Sequence, residues 1–171
     1  LLALNGQIQL LPNAQADVSV RISGAVTDIV SNLGDSVTKG QTLATVQSRL
    51  VGDPPPSVAV KAPISGVIDA RNVNLGQAVE PNTVLFHISN REQVLAIVQV
   101  YEEDLGKIKV GLDVNVHVLS YSKRIFPGKI TLVEPNLDPL TRTVNVQISL
   151  DNKEGLLKPG MFVRANVVLR F

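Results

Sequence analysis

The chain has 171 residues, of which 44% are hydrophobic and only 4% aromatic, with no tryptophan. This length suffices for one large or two small domains, and a core of Val, Leu, Ile and Ala favours small β-modules over a large catalytic cavity. A net charge of +1 provides no strong field for nucleic acid, and the lack of cysteine excludes disulfides, thiolate metal sites and cysteine nucleophiles. No apolar stretch is long enough to cross a bilayer, and we expect a targeting signal to have been removed ahead of Leu1.

The chain begins within a predicted strand and then contains an internal repeat, in which residues 22–46 and 64–88 align at an offset of 42 positions. Eight of the 25 aligned positions are identical: Ile22-Ser23-Gly24 with Ile64-Ser65-Gly66, Asn32-Leu33-Gly34 with Asn74-Leu75-Gly76, Val37 with Val79, and Leu43 with Leu85. Composition alone would give about two identities. Two copies of a β-unit too small to close a core should pair face to face into one sandwich.

Turn residues divide each copy of the repeat. Gly34 and Gly76 stand where a strand must reverse, because glycine accepts the positive φ that other residues resist. Gly40 marks the next turn in the first copy, and Asn82 takes the equivalent left-handed position in the second. The loop 47–61 joins the copies, and its three consecutive prolines exclude a helix interior there.

Short Val-rich strands dominate the remainder of the chain. Glu102–Ile108 is the best helix candidate, because acidic residues precede Lys107 in the order that suits a helix dipole, although a charged turn is nearly as favoured. Val114–Val118 and Val144–Leu150 alternate apolar and polar residues, which predicts strands with one face in a core. The sequence therefore predicts an all-β protein with one short helix.

The repeat has the form G-x-V-x(6)-L-G-x-x-V-x(5)-L, with Ile68 at the first Val position of the second copy, and it resembles the lipoyl/biotinyl domain. Ala62–Ile68 is similar to the opening of the second lipoyl half in periplasmic adaptor proteins, also called membrane fusion proteins, of tripartite efflux pumps. Four downstream segments resemble the β-barrel of the heavy-metal branch, whose partners are resistance-nodulation-division transporters: Val98–Gly111, Pro127–Ile130, Thr141–Val144 and Leu157–Val163.

This resemblance implies a lipoyl-like β-sandwich, or barrel-sandwich hybrid, at residues 15–89 and a small β-barrel at residues 90–171, with residues 1–14 as an N-terminal strand returning to the barrel. It implies a periplasmic protein at the inner membrane, without enzymatic activity, that links an inner-membrane efflux transporter for heavy-metal cations or drugs to the rest of the pump. A homo-oligomeric ring is expected. The long α-helical hairpin of most adaptors is missing between the halves, either naturally or by removal, which puts contact with an outer-membrane channel in doubt.

Two alternative functions depend on individual residues. A lipoyl or biotinyl carrier needs a lysine at the hairpin tip, but Lys61 adjoins Pro63 and should lie on a strand, so no cofactor is predicted. A metal-binding, metallochaperone-like component could use His87 and His117, yet these lie 30 positions apart without motif spacing, so solvated histidines are favoured and no metal site is assigned. Met161, the lone methionine, belongs to a packing motif and offers no Met-rich copper site.

The segment Glu134–Thr143 concentrates polar side chains, with two acids and Arg142. No histidine, cysteine or activated serine accompanies them, so we predict no catalytic residues. A turn-rich barrel connection, in which Arg142 bonds locally to a carboxylate or to carbonyls, is the favoured interpretation.

Overall fold

The computed structural model describes residues 2–50 and 56–169. Residues 2–11 and 91–169 form one compact unit, and residues 12–50 and 56–90 form another. The strands are, in chain order, β1 (Leu2–Leu10), β2 (Gln15–Ser19), β3 (Gly24–Ile29), β4 (Ser36–Val37), β5 (Thr42–Ser48), β6 (Ser57–Lys61), β7 (Gly66–Arg71), β8 (Ala78–Val79), β9 (Val84–Ser89), β10 (Gln93–Tyr101), β11 (Asp113–Val118), β12 (Phe126–Val133), β13 (Thr143–Asp151) and β14 (Phe162–Val167). This confirms the predicted all-β class.

Helical structure in the described residues is limited to short 3-10 turns at Pro12–Ala14, Glu102–Lys107 and Leu119–Tyr121. The helix predicted near residue 102 is therefore a 3-10 helix, closed by a bond of 3.2 Å from the Ile108 amide to the Leu105 carbonyl. No helix among the described residues has the length and apolar character needed to span a membrane.

The sandwich unit contains two four-stranded sheets with the orders β2-β9-β7-β4 and β6-β5-β3-β8. An offset of 42 residues carries the first residue of each strand β2 to β5 onto the first residue of β6 to β9, so the structural repeat also includes β2 and β6. Each half donates its two-residue strand to the other half's sheet: β4 pairs with β7, and β8 pairs with β3. The halves therefore share one core, as the repeat predicted.

The turns of the two halves have matching backbone geometry. The predicted left-handed positions all have positive φ: Gly34 at 91°, Gly40 at 87°, Gly76 at 80° and Asn82 at 72°. These turns also bind the halves together, because the Gly34 amide donates to the Ile68 carbonyl and the Gly76 amide to the Val26 carbonyl, each at 2.8 Å.

Glycines at the first residues of β3 and β7 allow close approach to the paired strand. A Cβ at Gly24 would lie 2.1 Å from the Gln47 carbonyl oxygen, and one at Gly66 would lie 2.4 Å from the Ser89 carbonyl oxygen. Apolar side chains fill the interior between the sheets, and the largest fully buried ones are Val26, Leu43, Val46, Ile68, Leu85, Phe86 and Ile88.

The other unit is a closed six-stranded barrel with the order β1-β10-β13-β12-β11-β14. Its first strand pairs with both β10 and β14, so the two ends of the described chain meet within one sheet. The alternation predicted for β11 and β13 is confirmed, because the valines of β11 and the residues Val144, Val146, Ile148 and Leu150 of β13 are buried in the barrel core.

Candidate functional site

The joint between the two sandwich halves is a short connection. Here β5 ends at Ser48 and β6 begins at Ser57, and Gln47 pairs with Ser57 across the two strands. Eight residues, 49–56, connect them, and residues 51–55 of this connection lie outside the described part. The Ser48 amide donates to the Pro56 carbonyl at 2.7 Å. The strands β5 and β6 on either side of this connection are already paired with each other. The sandwich therefore does not depend on the length of the segment that connects them.

A carboxylate from the second half fastens the first half beside this joint. Glu80 accepts a hydrogen bond from the Ser23 hydroxyl at 2.7 Å and forms an ion pair with Arg49 at 2.8 Å. The Ser23 hydroxyl, and then the Arg49 guanidinium, hold the pKa of Glu80 below its usual range. We call these three residues the Glu80 clamp. Glu80 and Arg49 are exposed and Ser23 is half-buried, so the clamp fixes geometry more than it adds stability.

The clamp has a partial counterpart in the other half. Ser65, which the repeat aligns with Ser23, accepts a hydrogen bond from the Lys39 amide at 2.9 Å. Both serine hydroxyls therefore form hydrogen bonds with the opposite half, but only Ser23 bonds to a carboxylate. Sequence reasoning identified the serines through the repeat and missed Glu80, because the aligned residue of the first half is Thr38 and carries no charge.

The barrel connection around residues 134–143 is a rigid turn. Arg142 has a φ of 57°, and its guanidinium donates to the Glu102 carboxylate at 2.7 Å and 3.1 Å, so it bonds a carboxylate as predicted, but one that lies 40 positions away and not in the local segment. The Asp138 carboxylate accepts the Leu140 amide at 2.9 Å, an Asx-type turn. As a result Leu140 is held outward with 93% of its surface exposed.

The two histidines occupy separate units. His87 lies in β9, where its Nδ1 contacts the Asp69 carboxylate, which also accepts the Ser89 hydroxyl at 2.9 Å. The side chain of His87 is 25% exposed, so it is a half-buried, bonded residue and not the freely solvated one expected. His117 lies on β11 of the barrel, on the face opposite the buried valines, as predicted.

The structure gives these histidines no further metal ligands. Within residues 2–50 and 56–169, no group of three or more His, Cys, Asp or Glu side chains is arranged to hold a metal ion. Asp69 occupies a β-bulge between Ile68 and Ala70, at the position that Thr27 takes in the first half. Nothing in the sequence marked Asp69, because the bulge that aims it at His87 forms only when β7 pairs with β9.

The structure also places Lys61 and Met161, the two other residues considered from the sequence. Lys61 is the last residue of β6 and is exposed, and the connection 49–56 contains no lysine. Met161 packs against the barrel core just before β14, and its sulfur accepts the Lys158 amide at 3.4 Å. Met161 is therefore a packing residue, as predicted.

Two protein-family models match the chain. One, described as a CzcB-like barrel-sandwich hybrid domain, matches residues 14–90, and the other, described as a CusB-like beta-barrel domain, matches residues 93–169. The two matches follow each other along the chain and correspond to the sandwich and the barrel.

Curated proteins from other organisms share sequence with part of this chain. Nodulation protein NolF of Rhizobium meliloti is 39% identical over 105 residues, which are 60% of this chain and 28% of that protein. Cobalt-zinc-cadmium resistance protein CzcB of Cupriavidus metallidurans is 28% identical over 108 residues, which are 63% of this chain and 21% of that protein. The chain thus spans less than a third of the length of these relatives.

Among solved structures, the crystal structure of ZneB from Cupriavidus metallidurans superposes with a TM-score of 0.80 at 21% identity, covering 99% of this chain and 70% of that one. At this identity the superposition establishes a shared fold. Together with the consecutive domain matches, it leads to the conclusion that the chain belongs to the periplasmic adaptor, or membrane fusion protein, family of resistance-nodulation-division efflux systems, in its heavy-metal branch.

Proposed function

We propose that this chain is the periplasmic adaptor of an efflux pump, in which it links an inner-membrane transporter to the rest of the assembly and performs no chemical reaction itself. The observation that carries the proposal is the pairing, on one chain, of a sandwich made from two strand-exchanged halves with a closed barrel. In this proposal residues 15–89 act as the sandwich module, and residues 1–14 with 90–171 act as the barrel module. Several copies assemble into a ring at the periplasmic face of the inner membrane.

The substrate class that the proposal favours is heavy-metal cations, with drugs as the alternative. The support is the name of CzcB, a cobalt-zinc-cadmium resistance protein, and the match to the CzcB-like sandwich. The joint 49–56 is too short for a helical hairpin, because eight residues allow about two turns of helix and no return. Docking to an outer-membrane channel through hairpin tips is therefore not part of the proposal.

Site-specific photo-crosslinking in cells tests the link to the transporter. A photoreactive amino acid at exposed Leu119 or Leu140 of the barrel should give crosslinks to the resistance-nodulation-division transporter encoded in the same genome. An inner-membrane transporter of another family, expressed at the same level, is the control. The proposal is wrong if no position crosslinks to the transporter and deletion of the gene leaves resistance to metals and drugs unchanged.

The two alternative functions have direct tests. Isothermal calorimetry with Zn²⁺ tests a metal-binding component: stoichiometric binding that is lost in His87→Ala or His117→Ala would favour that role over a purely structural one. The intact mass after coexpression with a biotin or lipoate ligase tests a carrier role, and an unmodified mass removes it.

A further inference from the structure

A groove of about 560 Å³ lies on the barrel wall formed by β14, β1, β10 and β13. Its lining consists of five carboxamide side chains together with small or apolar residues. The carboxamides are Asn5, Gln7, Gln9, Gln99 and Asn145, and the others are Gly6, Ile97, Phe162 and Val163. Within residues 2–50 and 56–169, no charged residue lines the groove.

Strand register sets the carboxamides in a line. Asn5 on β1 is the partner of Gln99 on β10, which is the partner of Asn145 on β13. Directly opposed residues point to the same face of a sheet, and neighbouring strands are about 4.8 Å apart. The three amides therefore form a row across the strands whose spacing is close to the length of one hexose unit in an extended glycan chain.

An aromatic ring borders this row. Phe162 on β14 is the partner of Gln7 on β1, and 73% of its surface is exposed. Ile97 on β10 is the other partner of Gln7, so the second row presents an aromatic ring, an amide and an aliphatic side chain. Arg164, which lies opposite Asn5 on β14, is exposed but does not line the groove.

The carboxamides are free to bind a ligand. None of the five makes a side-chain hydrogen bond to another residue in the described part of the chain. Each carboxamide offers two N–H donors and one carbonyl acceptor, which suits groups that both donate and accept, such as hydroxyl and acetamido groups. Among the described residues, the lining has no carboxylate for a metal ion and no guanidinium or ammonium group for phosphate, while Arg164 lies beside the row and outside the lining.

Two classes of macromolecular ligand fit this surface poorly. An extended peptide binds by adding a strand at a sheet edge, but all four strands here are paired on both sides within the closed barrel. Protein interfaces draw most of their affinity from Trp, Tyr and Arg, and the groove has none of these.

We propose that this groove binds a neutral glycan chain, with the carboxamide row bonding its hydroxyl and acetamido groups and Phe162 stacking on the apolar face of a sugar ring. The inference is independent of the link to a transporter. Gly6 maintains the groove floor, since a Cβ there would lie 1.9 Å from the Ile97 carbonyl oxygen. Any larger residue would force β1 and β10 apart.

Nuclear magnetic resonance of the side-chain amides tests the proposal. Titration of the full chain with the tetrasaccharides of N-acetylglucosamine and of glucose should shift the amide signals of Asn5, Gln99 and Asn145, with a dissociation constant near ~1 mM for at least one of them. Phe162→Ala and Gln99→Ala should weaken binding at least ~5-fold, and both residues are exposed, so folding is retained.

Leu119→Ala, at a residue that is 91% exposed and does not line the groove, is the matched control and should bind as the wild type does. The proposal is overturned if neither tetrasaccharide moves the groove signals at about ten times that concentration, or if Phe162→Ala binds unchanged. Amide shifts that follow protein concentration alone would also overturn it, because they would assign the groove to contact between copies of the chain.

Discussion

Gly66→Ala is the substitution that most directly tests how closely the paired strands β7 and β9 of the second half must approach. A methyl group at residue 66 would lie 2.4 Å from the Ser89 carbonyl oxygen and 2.7 Å from the Ser89 carbonyl carbon. Ordinary contacts between such atoms are about 3.5 Å, so the methyl is about 1 Å too close. Both opposing atoms belong to the backbone of β9, so no side chain can rotate away to relieve the contact.

The expected loss of stability follows from that geometry. Overpacking a well-filled core costs about 1–3 kcal/mol, and displacing β7 from β9 weakens a backbone hydrogen bond worth about 1 kcal/mol. We therefore expect Gly66→Ala to lower the free energy of unfolding of the sandwich by about 2–4 kcal/mol. For a unit of this size that corresponds to a melting temperature lower by about 8 °C or more.

Urea and thermal denaturation, with amide hydrogen exchange to assign the loss to the sandwich, measure this effect. Two controls separate the possible causes. Gly76→Ala has open space but a φ of 80°, and should cost about 1–2 kcal/mol. Gly106→Ala has neither a nearby atom nor a positive φ, and should change stability by less than about 0.5 kcal/mol. If Gly66→Ala is as mild as Gly106→Ala, close approach of β7 and β9 does not limit the fold.

Three further predictions concern polar side chains. Asn152→Ala should lower the free energy of unfolding of the barrel, measured in urea, by about 2–4 kcal/mol. The buried Asn152 side chain donates to the Leu157 carbonyl at 2.8 Å, and its carbonyl oxygen accepts the Leu157 backbone amide at 2.9 Å; an unchanged urea midpoint would contradict this. Ser23→Ala should raise the pKa of Glu80 toward 4.5 in a carboxyl carbon titration. Since folding lowers this pKa, the stabilisation from Glu80 exists above pH 4.5 and is lost as the pH falls through the folded-state value; a pKa unaffected by the substitution would rule out the clamp. His87→Ala should cost about 1–2 kcal/mol by removing the imidazole that contacts the half-buried Asp69 carboxylate, and wild-type stability would refute that role.

Much of the fold could be predicted from local patterns. The alternation of β11 and β13 identified strands with one buried face, because side chains on a strand point alternately to its two sides. The positive φ of Gly34 and Asn82 was predictable because steric restrictions on backbone angles act within a single residue. The family resemblance came from the same repeated residues, since the turns and core positions of a lipoyl-like half impose them.

Less of the candidate site could be predicted. The Glu80 clamp joins residues 57 positions apart, and the Asp69–His87 contact depends on a bulge that forms only between two paired strands. Both contacts depend on strand register, and the pattern of residues along the chain does not show which residues of two strands lie opposite each other. The type of the short helix at residue 102 was also undecided in sequence, because Glu, Asp and Lys in that order suit an α-turn and a 3-10 turn alike.

Residue patterns alone therefore establish the all-β class, the repeated sandwich and the joint too short for a hairpin, and they carry the resemblance to an adaptor family. The class, the repeat and the joint rest on periodicity, the steric limits of single residues and segment length, all of which are local properties, whereas the family rests on the resemblance of its motifs. Two arrangements are visible only in the folded chain: the halves exchange β4 and β8, and strands from both ends of the chain bring five carboxamides into one groove. Such arrangements depend on which strands become neighbours, and that choice is made by burial of the whole core.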